Sequence, residues 1–375
     1  MDEKKRVLQV NIDNNGGNGA FTLVMYFYNV LREEYIFDFF TMGTFLENYD
    51  TKFIVENGGK IYSADLRKNR LTGHIMLPFR FHKFLRNNKY GIVHIHSEVA
   101  YKVFLYAIVA KVMGVKKIII HAHSDNIDGN FVHIKKLLHK LTKNLICRCG
   151  TDYIAISESP ASWLFNDKVI SNKEHFYYVT NGIMVDNYRY NEKLRNKVRR
   201  QLGFDDESIV VGHVGALKKV KNQEFIIDII NILAQNGNYK LLFVGDGEDR
   251  KKLEEKTKKL NLSNVVTFLG SRDDVNELMQ AMDVFVFPSL FEGIPMTLIE
   301  AQTVGLPIVA SDIINKTVFI NKNISTLSLD ASVGAWASTV QQMKLKHIKE
   351  KGYSNLSQSK YNIENGATQL KKIYR

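Results

Sequence analysis

Short apolar runs rich in β-branched residues alternate along this chain with stretches whose apolar positions recur at helical spacing. In the first half the runs fall at residues 7–12, 36–41, 60–63, 92–97, 117–123, 153–157 and 176–179, with helical patterns between most of them. Alternation of this kind is the punctuation of βαβ units. The second half repeats it at 209–214, 240–244, 265–269, 284–288 and 307–311, separated by helical patterns such as 223–234 and 248–260. The expected fold class is α/β, with two Rossmann-like, doubly wound parallel-sheet domains facing a central cleft. Strand carboxyl ends border such a crevice, so the active site is expected there.

A polar, basic stretch at 187–200, without a buried-strand pattern, separates the two series. The expected domains are residues 1–185 and 186–360. Residues 361–375 read as a helix with Ile363, Ala367, Leu370 and Ile373 on one side, docking back onto the first domain.

Composition narrows the class. The chain has 375 residues, 45% hydrophobic, with 24 Gly and only 5 Pro, which excludes disordered and collagen-like chains. Cys147 and Cys149, one residue apart, are too few for a disulfide framework and only half of a zinc-ligand set. With no leader pattern and no apolar run of spanning length, the expectation is a cytoplasmic protein. The net charge of +12 is concentrated in residues 51–150, which carry 18 basic and 5 acidic side chains. Within them, the stretch from Leu77 to Arg86 alternates aromatic and aliphatic residues with bases at helical spacing. That pattern fits a helix lying on the anionic inner face of the plasma membrane, and equally a solvated basic face whose Phe residues enter the core. No nucleic-acid-binding motif accompanies the charge, so no nucleic-acid partner is expected.

Chemistry concentrates at residues 284–312. An apolar run leads into Phe287-Pro-Ser-Leu-Phe-Glu-Gly-Ile-Pro-Met-Thr-Leu-Ile-Glu-Ala-Gln302, where a glycine-containing loop opens a helix near Pro295. Backbone N–H groups around Ile294, Met296 and Thr297 then face an anion site backed by the helix dipole, and Gly293 permits close approach. Glu292 and Glu300, eight residues apart, could reach a sugar and a ribose of one elongated ligand. A dipole-stabilising carboxylate plus an ordinary surface glutamate would give the same bare spacing.

This run, with Gly305-Leu-Pro-Ile-Val-Ala-Ser-Asp312 after it, resembles the E-x7-E donor motif of retaining glycosyltransferases with the two-domain GT-B fold, family 4. It is especially similar to the bacterial capsular and exopolysaccharide branch. The resemblance covers nearly the whole chain. In family order come Gly16-Gly17, His121-Ala-His-Ser124, Asn181-Gly-Ile183, Lys221-Asn-Gln223, Val244-Gly-Asp-Gly247 and Phe268-Leu-Gly270.

The resemblance implies roles. Glu300 binds the nucleotide ribose and Glu292 contacts the donor sugar. Gly16, Gly17 and Gly215 belong to loops against the diphosphate. His123, in preference to His121, lies beside the transferred sugar, and Lys221 neutralises the departing diphosphate. The family usually carries Gly-Arg after the first strand of the second domain, where this chain has Gly215-Ala216. Lys218 or Lys219 would have to substitute, without the bidentate geometry of a guanidinium. Asp246 reads as a turn residue. No Asp-x-Asp occurs in the sequence, so neither a metal nor a cofactor is expected. The implied function is transfer of a hexose or N-acetylhexosamine, with retention, from a nucleotide diphosphate sugar, most simply a UDP-sugar, to a saccharide acceptor. That acceptor is expected to be linked to a lipid diphosphate at the inner leaflet. A nucleotide-sugar epimerase of the same fold and a non-catalytic nucleotide-sugar-binding partner are the rival readings.

Overall fold

The computed structural model describes residues 4–14, 19–64, 70–125, 127, 131–344 and 346–375, apart from the side chains of residues 70–72 and 74. Gly16 and Gly17 lie outside the described residues. The chain forms two compact units, Met1–Gly182 with Ile363–Arg375, and Ile183–Asn362.

The first unit is built on a parallel sheet of β1 (Lys5–Val10), β2 (Tyr35–Thr41), β3 (Ile61–Ser63), β4 (Ile92–His96), β5 (Lys117–Ala122), β6 (Asp152–Ala155) and β7 (Phe176–Tyr178). Their order is β3-β2-β1-β4-β5-β6-β7. The second unit holds β8 (Ile209–Val214), β9 (Tyr239–Val244), β10 (Val266–Phe268), β11 (Val284–Phe287), β12 (Ile308–Ser311) and β13 (Ile324–Leu327), in the order β10-β9-β8-β11-β12-β13. Every named pairing is parallel. Each sheet therefore reverses direction of strand addition at its first strand, placing a switch point between β1 and β4 and another between β8 and β11.

Apolar residues on both faces of the inner strands explain the continuous runs, because helices cover both sides of such sheets. Along β11, Phe285 and Phe287 pack with Leu298 and Ile299 on one face. Val284 and Val286 pack with Ile226 and Trp336 on the other. The polar stretch at 187–200 contains the helix Glu192–Gln201, capped by the Asn191 side chain. Besides Val198 in the core, it is anchored by charge, since Arg195 and Arg199 both reach Asp283, at 2.5 and 3.0 Å. Strand β13 lacked a sequence signal because Ser325 and Thr326 interrupt its apolar character at a half-buried edge.

The stretch from Leu77 to Arg86 belongs to the helix Arg70–Asn87, which runs through Pro78. Leu77, Phe81 and Leu85 enter the core, whereas Ile75, Met76 and Phe79 face solvent. The closing helix Ile363–Tyr374 packs against the helix Gly19–Leu31 of the first unit. Its buried Tyr374 ring stands 5.3 Å from that of Tyr35 and 6.1 Å from that of Phe37.

Candidate active site

In the second unit the loops after β8 and β11 emerge side by side at the switch point. The Leu290 N–H donates to the Val220 carbonyl at 2.8 Å, and the Asn222 amide donates to the Pro288 carbonyl at 3.2 Å. These bonds fasten one loop to the other and bring Lys221 to Glu292, with Nζ 2.7 Å from Oε1 and both side chains largely shielded. The ammonium also lies 5.5 Å from the Phe287 ring centroid. A Cβ on Gly215 would sit 3.8 Å from Lys221 Cε, so the glycine floor lies directly under the lysine.

Below that floor is His213, fully buried and pushed down to about 4 by loss of solvent. Its Nδ1–H donates to the Val286 carbonyl at 2.9 Å. Nε2 is then the acceptor for the Gln223 amide at 3.3 Å. The ring is a neutral strut between β8 and β11.

Pro295 caps the helix Met296–Val304, so Met296 and Thr297 occupy its first turn, where N–H groups have no acceptor within the helix. Gly293 is exposed ahead of it, Ile294 half-buried. In the same helix Glu300 is half-buried, and burial lifts its carboxyl above the usual range while a hydrogen bond from Tyr188 draws it back down. Ala216 is exposed and offers only its carbonyl, which accepts from Gln223 at 2.9 Å. Lys218 and Lys219 are exposed as well. Asp246 holds the Gly247 N–H at 2.7 Å and Arg250 at 3.1 Å, closing the turn after β9.

That turn presses on the floor of the site. Gly245 has φ +131, and a Cβ there would lie 2.1 Å from the Gly215 carbonyl oxygen. Gly245→Ala is expected to destabilise the second unit by about 3 kcal/mol or more, from backbone strain plus overpacking. Urea denaturation measures it, and an unchanged midpoint would refute the close packing of these two loops.

The first unit carries a row of histidines. β4 contributes His94 and His96 and β5 contributes His121, with His96 and His121 paired in register. His123 follows just beyond β5. One chain of hydrogen bonds through the Gln9 amide fixes the tautomers. Gln9 Nε2 donates to the Tyr374 hydroxyl at 3.3 Å, which donates to His94 Nδ1 at 2.9 Å. In the other direction His96 Nε2–H donates to Gln9 Oε1 at 2.8 Å, so His96 Nδ1 must accept from His123 Nε2–H, also at 2.8 Å. His123 is left with a bare Nδ1 lone pair, shielded from solvent and without a partner among the described residues, although the residue as a whole is partly exposed. Desolvation holds it down at about 3, so it acts as a neutral acceptor. His94, His96 and His121 bring ring nitrogens within 4.8 Å of one another. As the rings stand, His96 spends both of its nitrogens on neighbours.

Of the residues expected at the site, Lys221, Glu292, Gly215, Gly293, Ile294, Met296, Thr297 and Glu300 all lie in the second unit around the β8–β11 switch point. His123 and His121 lie in the first. Sequence reasoning missed Gln9, His96 and Tyr374. The period-two repeat His94-Ile-His96 facing His121-Ala-His123 was the available signal for a shared face.

Comparison with known proteins bears on this arrangement. Residues 195–356 match the family model Glycosyl transferases group 1. EpsF of Bacillus subtilis (strain 168) is 29% identical, over 99% of this chain and 96% of EpsF. The UDP-Gal:alpha-D-GlcNAc-diphosphoundecaprenol alpha-1,3-galactosyltransferase of Escherichia coli is 26% identical, over 78% of this chain and 77% of that enzyme. Among solved structures, Anabaena Alr3699/HepE in complex with UDP matches with a TM-score of 0.73 and 19% identity, covering 99% of both chains. The fold is thus that of GT-B glycosyltransferases, two parallel-sheet α/β domains, and residues 195–356 are similar to the Glycosyl transferases group 1 family.

Proposed function

We propose that the chain is a metal-independent, retaining glycosyltransferase of capsule or exopolysaccharide synthesis. It would transfer a hexose or N-acetylhexosamine from a nucleotide diphosphate sugar, with UDP as the nucleotide, to a saccharide hydroxyl. The observation that carries this reading is the shielded Lys221–Glu292 pair at the β8–β11 switch point, beside the start of the helix Met296–Val304.

Without donor, each member of that pair neutralises the other. A donor whose sugar hydroxyls engage Glu292 releases the Lys221 ammonium toward the diphosphate. The helix start offers N–H groups and a positive dipole end to the same phosphates. Negative charge then grows on the leaving diphosphate where a cation is already fixed, which lowers the barrier without reorganisation. Attack on the same face lets a leaving-phosphate oxygen take the acceptor proton, so no side chain is assigned as general base. The family resemblance puts His123 beside the transferred sugar, with a ring kept neutral by desolvation. The UDP bound by HepE and the UDP-Gal named for the Escherichia coli relative support a UDP-sugar. The diphosphoundecaprenol in that relative's name supports a lipid diphosphate acceptor, reached from the anionic inner face of a membrane.

Glu300 tests the donor site. Losing a charged acceptor for ribose hydroxyls is expected to weaken UDP binding to Glu300→Ala by about 10- to 100-fold. Calorimetric titration with UDP measures it, and affinity equal to the unaltered chain would overturn the assignment. A screen of UDP-sugars and GDP-mannose with EDTA should give undiminished release of nucleotide and sugar. Appearance of an epimer, or binding without turnover, would select one of the rival readings, the latter pointing to Ala216.

A further inference from the structure

The helix Val132–Ile146 turns its apolar residues the wrong way for a helix that merely covers a sheet. Its buried residues are only His139 and Ile146. Ile134, Leu137, Leu138, Leu141 and Leu145 are exposed, by 58%, 59%, 37%, 64% and 39%. Their spacing of three, four, seven and eleven residues from Ile134 makes one continuous outward stripe along three helical turns. Isolated exposed leucines need no explanation, but a stripe of five on one helix does. The hydroxyl of Thr142 is spent on the Leu138 carbonyl at 2.7 Å, so it adds no polar break to the stripe.

The charges beside the stripe are all of one sign. From Phe131 to Cys149 the sequence has four lysines and Arg148, and no Asp or Glu. At helical spacing Lys135 lies on one border of the leucine stripe and Lys140 on the other, with the exposed Lys136 further round beyond Lys140, where long stems can follow the apolar surface and keep the ammonium at its edge. Apolar side chains flanked by bases match the two layers of an anionic bilayer surface, acyl chains under negative headgroups.

Topology places this helix at the right edge. In a right-handed βαβ crossover each helix runs back antiparallel to its strands, so its N-terminal end lies at their carboxyl edge. Phe131 and Ile134 are therefore on the same edge of the first sheet as His123, which follows β5. The exposed Ile75, 68% accessible, lies toward the N-terminal end of the helix Arg70–Asn87, on that same edge, with Phe79, 66% accessible, one turn further along. Helices Arg70–Asn87 and Val132–Ile146 both pack against the helix Ala100–Val112 between them.

We propose that the outward leucine stripe of the helix Val132–Ile146, with its bordering lysines, seats the first unit on an anionic lipid bilayer. This rests on the reading that the chain works at such a surface, and moves the main contact from the stretch Leu77–Arg86 to this helix. The helix lies in the interface plane with its leucines among the upper acyl carbons. An acceptor carried on a lipid diphosphate would then meet the carboxyl edge of the first sheet without leaving the membrane.

The test is co-sedimentation of the full chain with vesicles of phosphatidylglycerol mixed with phosphatidylcholine, and with phosphatidylcholine alone. The unaltered chain should partition onto the mixed vesicles and much less onto the neutral ones. Leu137→Glu with Leu141→Glu should lower the partition coefficient by about 100-fold, each leucine contributing about tenfold or more. Lys136→Glu with Lys140→Glu should remove the preference for anionic vesicles. All four residues are exposed, so both variants should keep the thermal transition and UDP affinity of the unaltered chain. If the unaltered chain fails to bind either vesicle, the membrane reading itself falls. If it binds and the leucine variant binds equally well, another surface makes the contact and this inference is overturned. A leucine variant that changes only from dimer to monomer in light scattering, with vesicle binding intact, would overturn it in favour of a second copy as the occupant.

Discussion

Lys221→Ala is expected to lower kcat by about 100- to 1,000-fold, the cost of removing one fixed group that stabilises developing negative charge. KM for the donor should rise far less, because in the proposed donor site the helix start and Glu300 would still hold the nucleotide. The lysine is already within 2.7 Å of Glu292, so its removal also strands a shielded carboxylate. That predicts a loss of stability in Lys221→Ala which has nothing to do with catalysis. The double variant Lys221→Ala with Glu292→Gln separates the two effects. Neutralising the carboxylate should restore much of the melting temperature while leaving kcat at the low value. Recovery of kcat together with stability would mean that the pair is only a strut between two loops, and the leaving-group role would fall. Ala216 sharpens the expectation, since the position where the family usually carries a second cation has none.

Acidification is expected to unfold the first unit well before ordinary carboxylate titration would. Burial holds His94, His96 and His121 well below their usual value, and His123 down at about 3. Their mutual proximity adds to the depression of the first three. Above pH about 6.5 neither folded nor unfolded chain carries these protons, and they contribute no pH dependence. Below it the unfolded chain takes up protons that the folded chain refuses, so stability falls as pH falls, by about 1.4 kcal/mol per histidine per pH unit. For His123 the decline continues down to about pH 3. At one unit below the onset the row together costs about 5 kcal/mol, comparable to the whole stability of a modest domain. Urea midpoints at pH 7.5 and near pH 5.5 measure this, and equal midpoints would refute it. His121 provides the control. Neither of its ring nitrogens has a partner among the described residues, so His121→Leu should flatten the acid dependence by one proton and lose no hydrogen bond.

Much of the architecture was legible because parallel strands covered on both faces leave uninterrupted apolar runs. Val284–Phe287 and Ile308–Ser311 stand out in the sequence for that reason. β13 did not, because an edge strand containing Ser325 and Thr326 has no such requirement. The helix Glu192–Gln201 was hidden for a different cause. Only Val198 and Leu194 reach the core, and its other anchoring contacts are guanidinium bonds to Asp283, which hydrophobic periodicity does not register. In the site, the motif residues could be named from their order along the chain. What the sequence could not supply was the mutual neutralisation of Lys221 and Glu292, separated by 71 positions, or the path from Gln9 through His96 to His123. Those relations depend on which strands are neighbours, and only the switch points supply that.

The closing helix has a consequence for biosynthesis. Gln9 and His94 in the early strands are bonded to the Tyr374 hydroxyl, and Tyr374 also packs on Tyr35 and Phe37. On the ribosome the first unit is thus obliged to wait, with part of its sheet uncovered, until residues 363–374 have left the exit tunnel. The second unit, contiguous from Ile183 to Asn362, has all of its own residues before then. The half synthesised first is the half completed last, and in that interval the uncovered sheet is a natural client for chaperones.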